Sequence, residues 1–435
     1  MAVTVLSPSH LLKARQERIV AALDVGSSKV AALIASVEGD GPPRVLGCGV
    51  RACNGLKRGL VADMVRTEEA IRAAMMQAER AAEVEIESVL VNVSAGGLAS
   101  DVTSVAIDIS GHRISDADMA RLLAAGRDEI EAKARESGRT TIHAEPALYT
   151  VDGLEGVLQP AGFHANQLGV DVHVITAETP PCRNLDLAVR NAHLDVERII
   201  ASGVAASASV LNPEEAELGV AVVEIGAGVT TIAVHGGGVL AGLASIPMGA
   251  ADITADIAAS FSTRRSAAEK LKTLHGAAVA VPRDNHDLVD VPPLDAEDGA
   301  EVRRVPRAEL IAIIRGRLDL LFGDVADALL EMGFRGPAGR QVVLTGGGAE
   351  LRGIADFAAG ALNRSIRIGR PRGLAGLPDA QSGPAYATLA GLVLRGAQPP
   401  IDLGQLPASR GSGRPGAAGP QSAVGRLIAI LKRQL

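Results

Sequence analysis

Aromatic side chains are scarce in this sequence of 435 residues: they account for 2% of it, and tryptophan is absent. Proteins that bind single-stranded nucleic acid stack bases on aromatic side chains and carry an excess of basic residues. Here the formal net charge is -7, so the basic excess is missing as well. Both absences argue against nucleic acid as a partner.

Long apolar runs and metal-binding cysteines are also lacking. The sequence has no apolar stretch of about 18 residues or more, so no segment is expected to span a bilayer. The three cysteines, Cys48, Cys53 and Cys182, do not have zinc-ligand spacing, and their odd number indicates reduced thiols and a cytoplasmic protein. Hydrophobic residues make up 47% of the chain. At this length they are enough for the cores of roughly two to four subdomains.

Apolar strands and helices alternate along the chain, which is typical of an α/β fold. The predicted strands are two within 19–37 and others at 88–94, 102–109, 142–151, 170–176, 218–224, 230–235 and 341–344. The predicted helices lie at 68–82, from a cap at Ser115 to about 135, and at 180–192, 250–261, 266–274 and 307–332. The acid-rich residues 283–298 predict a solvated loop, and the Gly-, Pro- and Ser-rich residues 396–422 predict a flexible linker.

Two segments share one pattern, AALDVGSSKVAALI at 21–34 and AVVEIGAGVTTIAV at 221–234. Each predicts a β-hairpin whose glycine turn directs backbone N–H groups at a phosphate. The acid before each turn can hold the waters of a phosphate-bound Mg²⁺, and Asp24 is the predicted ligand of this kind, with Glu224 as a second candidate. The candidate phosphate-binding residues are Gly26, Ser27, Ser28 and Lys29 in the first hairpin, and Gly226, Ala227, Gly228, Val229 and Thr230 in the second.

Either hairpin alone is compatible with an ordinary turn. Two copies half a chain apart predict two facing lobes that bind one nucleotide between them. A third glycine cluster, Gly346, Gly347, Gly348 and Ala349, follows the apolar strand VVLT and precedes a helix. Such a turn admits a flat ligand and aims helix N–H groups at it, which fits the adenosine part of ATP.

The last 13 residues, 423–435, predict an amphipathic helix. The apolar residues Val424, Leu427, Ile428, Leu431 and Leu435 recur at helical spacing, and the basic residues Arg426, Lys432 and Arg433 flank them. A helix of this length is too short to span a bilayer, so we expect it to lie in the interface beside anionic lipids. The alternative is a helix that docks on the body of the protein.

The order of hairpin, second hairpin and GGGA turn resembles the superfamily of actin, DnaK-type chaperones and sugar kinases. Within it, the chain is similar to the FtsA family of actin-like bacterial cell-division proteins. The segments that carry this resemblance are NGLKRGLVADM at 54–64, SDADMARLLAAGR at 115–127, PMGAADITADIAASFSTRRSAAEKLKTLHG at 247–276, VVLTGGGAELRGI at 342–354, and the amphipathic tail.

The resemblance implies an α/β, actin-like (ribonuclease H-like) two-lobed ATPase fold. The implied parts are a flexible leader at 1–17, subdomain 1A at 18–96 and 169–215, 1C at 97–168, 2A at 216–255 and 339–395, 2B at 256–338, the linker at 396–422, and a membrane-targeting helix at 423–435. It also implies that Glu269 reaches the ribose hydroxyls and that Lys272 lines the adenine side.

Some residues depart from the family pattern. Glu224 stands where the family usually has Asp, and Ala227, Val229 and Thr231 also differ, which affects the expected Mg²⁺ geometry. Ser202 occupies the position where actins have a residue that orients the attacking water. We therefore expect at most a slow ATPase, in which the nucleotide serves mainly as a structural or switching ligand.

As a family member, the chain is expected to form filaments with itself and to anchor the ring of the tubulin-like protein FtsZ to the cytoplasmic face of the inner membrane at the division septum. It would also recruit downstream division proteins. The FtsZ C-terminal peptide would dock on 2B, where Arg304 and Arg307 are either its ligands or ordinary solvated arginines. The alternatives are a type IV pilus assembly-type actin-like protein and a sugar or acetate kinase-like phosphotransferase.

Overall fold

The computed structural model describes residues 18–39, 41–294, 302–335, 341–398 and Leu403. Strands and helices alternate through these ranges, as the α/β prediction requires. The strands are β1 (Arg18–Val25), β2 (Lys29–Val37), β3 (Arg44–Ala52), β4 (Leu56–Lys57), β5 (Leu60–Val61), β6 (Ser88–Val93), β7 (Ala99–Asp108), β8 (Arg139–Val151), β9 (Leu154–Val157), β10 (Gln167–Glu178), β11 (Asp195–Ala201), β12 (Val220–Ile225), β13 (Thr230–Gly236), β14 (Val239–Ile246), β15 (Leu288–Val291), β16 (Arg303–Pro306), β17 (Gln341–Thr345) and β18 (Ser365–Ile368). The helices are α1 (Met64–Ala82), α2 (Asp116–Ser137), α3 (Thr179–Asn191), α4 (Ser202–Val210), α5 (Pro213–Leu218), α6 (Ala250–Phe261), α7 (Arg265–His275), α8 (Arg307–Glu331), α9 (Ile354–Leu362) and α10 (Ala387–Ala397).

The first lobe is built on a five-stranded sheet in the order β11-β6-β1-β2-β3. Strand β1 pairs antiparallel with β2 and parallel with β6, so the first hairpin lies in the middle of the sheet. Helix α1 packs directly on β3 because β3 carries glycine at the contact. A Cβ atom on Gly49 would lie 1.9 Å from the carbonyl oxygen of Ala74. Helix α10 packs beside α4, and its residues Leu389, Leu392 and Val393 belong to the same core as β1.

The second lobe repeats this arrangement in the order β14-β13-β12-β17-β18. Here β12 pairs antiparallel with β13 and parallel with β17, as β1 does with β2 and β6. The predicted pair of hairpins in two similar lobes is thereby confirmed. Helices α6, α7 and α8 pack together in this lobe, and Phe322 and Leu318 are fully buried in its core.

An inserted subdomain, the predicted 1C, carries a four-stranded sheet in the order β7-β10-β8-β9, covered by α2. The predicted cap at Ser115 is confirmed, since Ser115 and Asp118 form a reciprocal capping box. Strand β10 pairs with β7 as far as Thr176 and with β8 as far as Glu178. The sheet therefore continues about ten residues past the predicted boundary at residue 168.

The structure differs from the predicted elements in several places. Residues Leu288–Val291 form a strand paired with Arg303–Pro306, so the prediction of a solvated loop over 283–298 is wrong there. Alternation of buried Val289 and Val291 with exposed neighbours explains this strand. Helix α1 starts at Met64, capped by Asp63, earlier than predicted. Within the described ranges, no helix is long and apolar enough to cross a membrane.

Candidate functional site

A cavity of about 540 Å³ lies between the two lobes. This volume falls within the range of roughly 300–1,000 Å³ that is typical of small-molecule sites. The turns of both hairpins line it, together with the third glycine turn and residues of α6 and α7. The predicted residues on its wall are Asp24, Gly26, Ser27, Ser28, Lys29, Glu224, Gly226, Ala227, Gly228, Val229, Glu269, Lys272, Gly346, Gly347 and Gly348.

The two hairpin turns have the same backbone arrangement. The N–H of Gly26 donates to the carbonyl oxygen of Lys29 over 3.0 Å, and the N–H of Gly226 donates to that of Val229 over 2.9 Å. The second turn is also held by the start of α6, where the N–H groups of Ala250 and Ala251 donate to the carbonyl oxygens of Gly226 and Ala227. The repeated sequence pattern thus gives two equivalent turns that face one cavity.

Two carboxyl groups, one from each hairpin, line the cavity. Asp24 Oδ1 accepts a hydrogen bond from Asn92 Nδ2 over 2.8 Å, and Glu224 Oε2 accepts one from the hydroxyl of Thr231 over 2.8 Å. Burial raises the pKa of Asp24 to about 6, against the opposing effects of Lys29 and Asn92. Burial and then the charge of Asp24 raise the pKa of Glu224 to about 7. A divalent cation here would favour both ionised forms, so the donor set fits Mg²⁺.

Glu224→Gln is expected to stabilise the nucleotide-free protein at about pH 8.5 by about 2 kcal/mol, with little effect near pH 5. Folding raises the pKa of this carboxyl from its ordinary value of 4.5 to about 7. A raised carboxyl pKa removes stability as the pH rises between these two values, because the folded state then holds an ion that it disfavours. Urea unfolding at both pH values would measure the difference. The matched control is Glu214→Gln on exposed α5, and an equal gain at both pH values would contradict the expectation.

Lys29 stands at the end of the first turn. Its Nζ atom lies 3.6 Å from the centre of the Tyr386 ring, a cation–π contact that fixes the side chain beside the cavity. Burial lowers the pKa of Lys29, while Asp24 and Glu350 oppose that shift. The buried Lys29 ammonium is poorly hydrated, and the oxygens of a bound polyphosphate would accept hydrogen bonds from it. The predicted role of Lys29 in phosphate binding therefore fits its surroundings.

Asn92, on β6, was missed by sequence reasoning, although it contacts both Asp24 and Ser202. Its Nδ2 donates to Asp24 Oδ1 and, over 3.1 Å, to the hydroxyl of Ser202. Its Oδ1 accepts the N–H of Val25 over 2.7 Å. The amide group therefore has its hydrogens and its oxygen engaged by protein, which makes it a positioning group for Asp24. No sequence motif marks this residue, because parallel pairing of β1 with β6 brings it to the site.

Glu269 and Lys272 lie where α7 meets α6, on the side of the cavity predicted for adenosine. Lys272 Nζ is within 3.0 Å of the Ala250 carbonyl oxygen, the Thr254 hydroxyl and a carboxylate oxygen of Glu269. Its three hydrogens are thus engaged, so only its alkyl stem is available to a ligand. The Glu269 side chain is 50% exposed and remains accessible for hydroxyl groups.

The third glycine turn approaches the second hairpin strand closely. A Cβ atom on Gly348 would lie 2.3 Å from Ile225 Cγ2, and Gly346 has a φ of 82°, which favours glycine. Two predicted residues lie outside the cavity. Ala349 is buried in the core of the second lobe, and Thr230 is buried with its hydroxyl donating to the Met248 carbonyl oxygen over 2.9 Å.

The short hairpin of β4 and β5 was also missed, although it lies within the segment 54–64. The N–H of Gly59 donates to the hydroxyl of Ser27 over 3.0 Å, so this short hairpin contacts the first glycine turn. Arg58 Nη2 lies 3.6 Å from Asp252 Oδ1, at the start of α6 in the second lobe. This hairpin therefore bridges the two lobes at the phosphate side of the cavity.

The two arginines predicted for partner binding differ in position. Arg304 is 70% exposed, with Nε 3.1 Å from Asp290 Oδ1 across the β15–β16 pair. Arg307 is only 15% exposed; it forms an ion pair with the buried Asp284 and donates to the His275 carbonyl oxygen over 2.7 Å. The prediction of Arg307 as a surface arginine is corrected accordingly, because its hydrogen bonds hold α7 and α8 together.

Two sheets of equivalent order, each presenting a glycine hairpin to one interlobe cavity, define the actin-like class of protein. Residues 221–391 match the family described as "Cell division protein FtsA", and residues 96–176 match "SHS2 domain inserted in FTSA". The chain is 36% identical over 393 residues to the cell division protein FtsA of Rhizobium meliloti (strain 1021), with 88% of each chain covered. It is 31% identical over 390 residues to FtsA of Escherichia coli (strain K12), covering 88% of this chain and 91% of that one. The chain belongs to the FtsA family of cell-division proteins.

Among solved structures, the chain is similar to one from the "PilM-PilN type IV pilus biogenesis complex". The TM-score is 0.60 at 19% identity, with 87% of this chain and 99% of that chain covered. At this identity the likeness shows the fold alone. The matches to FtsA confirm the family predicted from the motifs. The pilus-type alternative is supported only at the level of fold.

Proposed function

We propose that the chain binds ATP with Mg²⁺ in the interlobe cavity and works as a polymerising scaffold in cell division. The observation that carries the proposal is the pair of equivalent hairpin turns, one from each lobe, that face a single cavity with a carboxyl group beside each turn. Asp24 and Glu224 would hold the water shell of the cation. Glu269 would contact the ribose, and the turn from Gly346 to Gly348 would border the adenine.

The nucleotide acts mainly as a structural or switching ligand. We expect phosphate release far below the roughly 1 per second or more of ordinary enzymes. The physical reason is that Ser202 offers only a short hydroxyl where an amide or carboxylate would orient the attacking water. The hydrogens of the neighbouring Asn92 amide are already donated to Asp24 and to Ser202. A phosphate-release assay on purified filaments would check this. Brisk release that Asp24→Ala removes would contradict it.

Attachment to the membrane is assigned to residues 423–435, which lie outside the described residues. Their apolar stripe and flanking cations favour a helix in the interface of the cytoplasmic face of the inner membrane, at the septum. The scaffold would thereby anchor the FtsZ ring, with exposed Arg304 of 2B as a contact for an acidic FtsZ C-terminal peptide. Of the described residues, none in β7 to β10 lines the cavity, which favours 1C as a contact for other subunits or downstream division proteins.

Electron microscopy on a lipid monolayer tests the proposal as a whole. With ATP and Mg²⁺, the full-length protein should form filaments on anionic lipid. Filaments should be lost when the nucleotide is omitted and should be absent from a neutral monolayer at the same protein concentration. Isolated particles under all three conditions would contradict a polymerising role.

A further inference from the structure

Helix α2 of the inserted subdomain carries a glycine, Gly126, in its middle and on its buried side. Glycine has no side chain, so a neighbouring group can pack close to the helix at this position. A Cβ atom built on Gly126 would lie 3.5 Å from Leu403 Cδ1, 3.7 Å from Val172 Cγ2 and 4.0 Å from Val105 Cγ2. The space beside Gly126, between α2 and the sheet, is thus filled by a leucine that follows α10.

Leu403 is 1% exposed, so its contact with the subdomain is not superficial. It belongs to the hydrophobic cluster of 1C, whose other buried members all lie between Val105 and Val174. Leu122, one turn before Gly126, is a fully buried member of that cluster. Among the described residues, Leu403 therefore joins a core whose other buried members come from one stretch of sequence.

The end of α10 explains how the same chain reaches this position. Arg395 in the last turn of α10 forms an ion pair with Glu145 on β8, so the helix ends at the border between 1A and 1C. From Gln398 to Leu403 an extended chain covers at most about 17 Å. Leu403 makes its contact with 1C within this reach of α10, inside a single chain.

We propose that the Gly126 site is a leucine pocket on 1C that captures the C-terminal segment of the same chain through Leu403. The occupant is hydrophobic and unbranched at Cβ, and the site recognises it by shape, between the glycine of α2 and two valines of the sheet. Leu403 then attaches the chain to 1C at this point. This inference stands on packing and is independent of nucleotide binding.

Hydrogen–deuterium exchange of the full-length protein tests the proposal. Leu403→Ser should speed amide exchange at least tenfold in the peptide that covers 119–130 and in the peptide that covers 400–407. The control Leu406→Ser makes the same chemical change three residues later and should leave the 119–130 peptide unchanged. Identical exchange in the two variants would overturn the proposal.

A second variant approaches the pocket from the other side. Gly126→Leu places a side chain where Leu403 lies, so the 119–130 peptide should stay protected while the 400–407 peptide exchanges as fast as in Leu403→Ser. Retained protection of both peptides would contradict the pocket. Exchange measured at two protein concentrations completes the test, because protection of 400–407 that is lost on dilution would assign the occupant to a second copy and refute the intramolecular contact.

Discussion

Leu431→Glu is expected to abolish co-sedimentation of the full-length protein with anionic liposomes. Leu431 lies in the centre of the apolar stripe at 423–435, and burial of one leucine contributes about 2 kcal/mol. Its loss corresponds to roughly tenfold or more in affinity, and the added negative charge is repelled by anionic headgroups. A single tail without aromatic anchors binds weakly, so alignment of many tails in a filament multiplies the effect.

The matched control is Ala429→Glu, which adds the same charge two residues earlier. At 3.6 residues per turn that position lies on the opposite face of a helix, so liposome binding should be reduced only slightly. An equal loss of liposome binding in both variants would show that binding depends on the net charge of the tail and not on an amphipathic helix. Wild-type protein that does not sediment with anionic liposomes would refute the membrane assignment.

ATP with Mg²⁺ is expected to raise the melting temperature of the wild type, and Gly226→Val should remove that rise. A ligand that binds only the folded state adds about 2.7 kcal/mol at a hundredfold excess over its Kd. A Cβ atom on Gly226 would lie 2.7 Å from the Val229 carbonyl oxygen, which is too close. The variant must therefore distort the turn whose N–H groups are assigned to the phosphates. Differential scanning fluorimetry with and without nucleotide measures both shifts.

Gly238→Val provides the control, because it also strains a turn in the same sheet. Gly238 joins β13 to β14 with a φ of 79° but has open space around it, away from the cavity. This variant should melt at a lower temperature than the wild type and still show the full rise with ATP. No rise in the wild type at millimolar ATP would reject nucleotide binding in the cleft.

The hairpins could be predicted from the sequence because each one is local. Asp24, its turn and the next strand lie within fourteen consecutive residues, and the same pattern recurs around Glu224. Asn92 and Tyr386 could not be predicted in this way. They reach the site through parallel strand pairing and through the packing of α10, and nothing adjacent to them in sequence specifies either contact.

Predictions based on charge were less reliable than those based on glycine turns. The acids of 283–298 indicated a loop, yet every second residue of Leu288–Val291 is buried, and a four-residue alternation is too short to outweigh the composition. Arg307 was predicted as a peptide ligand or a solvated arginine from its charge and its place in 2B. It is paired instead with Asp284, which is 23 residues away in sequence and almost fully buried. Surface and interior charges look alike until tertiary contacts are known.

The position of α10 has a consequence for the order in which the protein can fold during synthesis. The Arg18 guanidinium donates to the carbonyl oxygens of Gly396 and Ala397, each over 2.8 Å, so the first described strand meets the last described helix. A Cβ atom on Gly396 would lie 2.7 Å from Val20 Cγ1, which shows how closely the two elements pack. A nascent chain therefore cannot complete its first lobe until the ribosome has released α10. The apolar side chains of β1 that contact α10 stay uncovered until almost 400 further residues have been synthesised. The second lobe, whose sheet is assembled from residues 220–368, is free to close earlier.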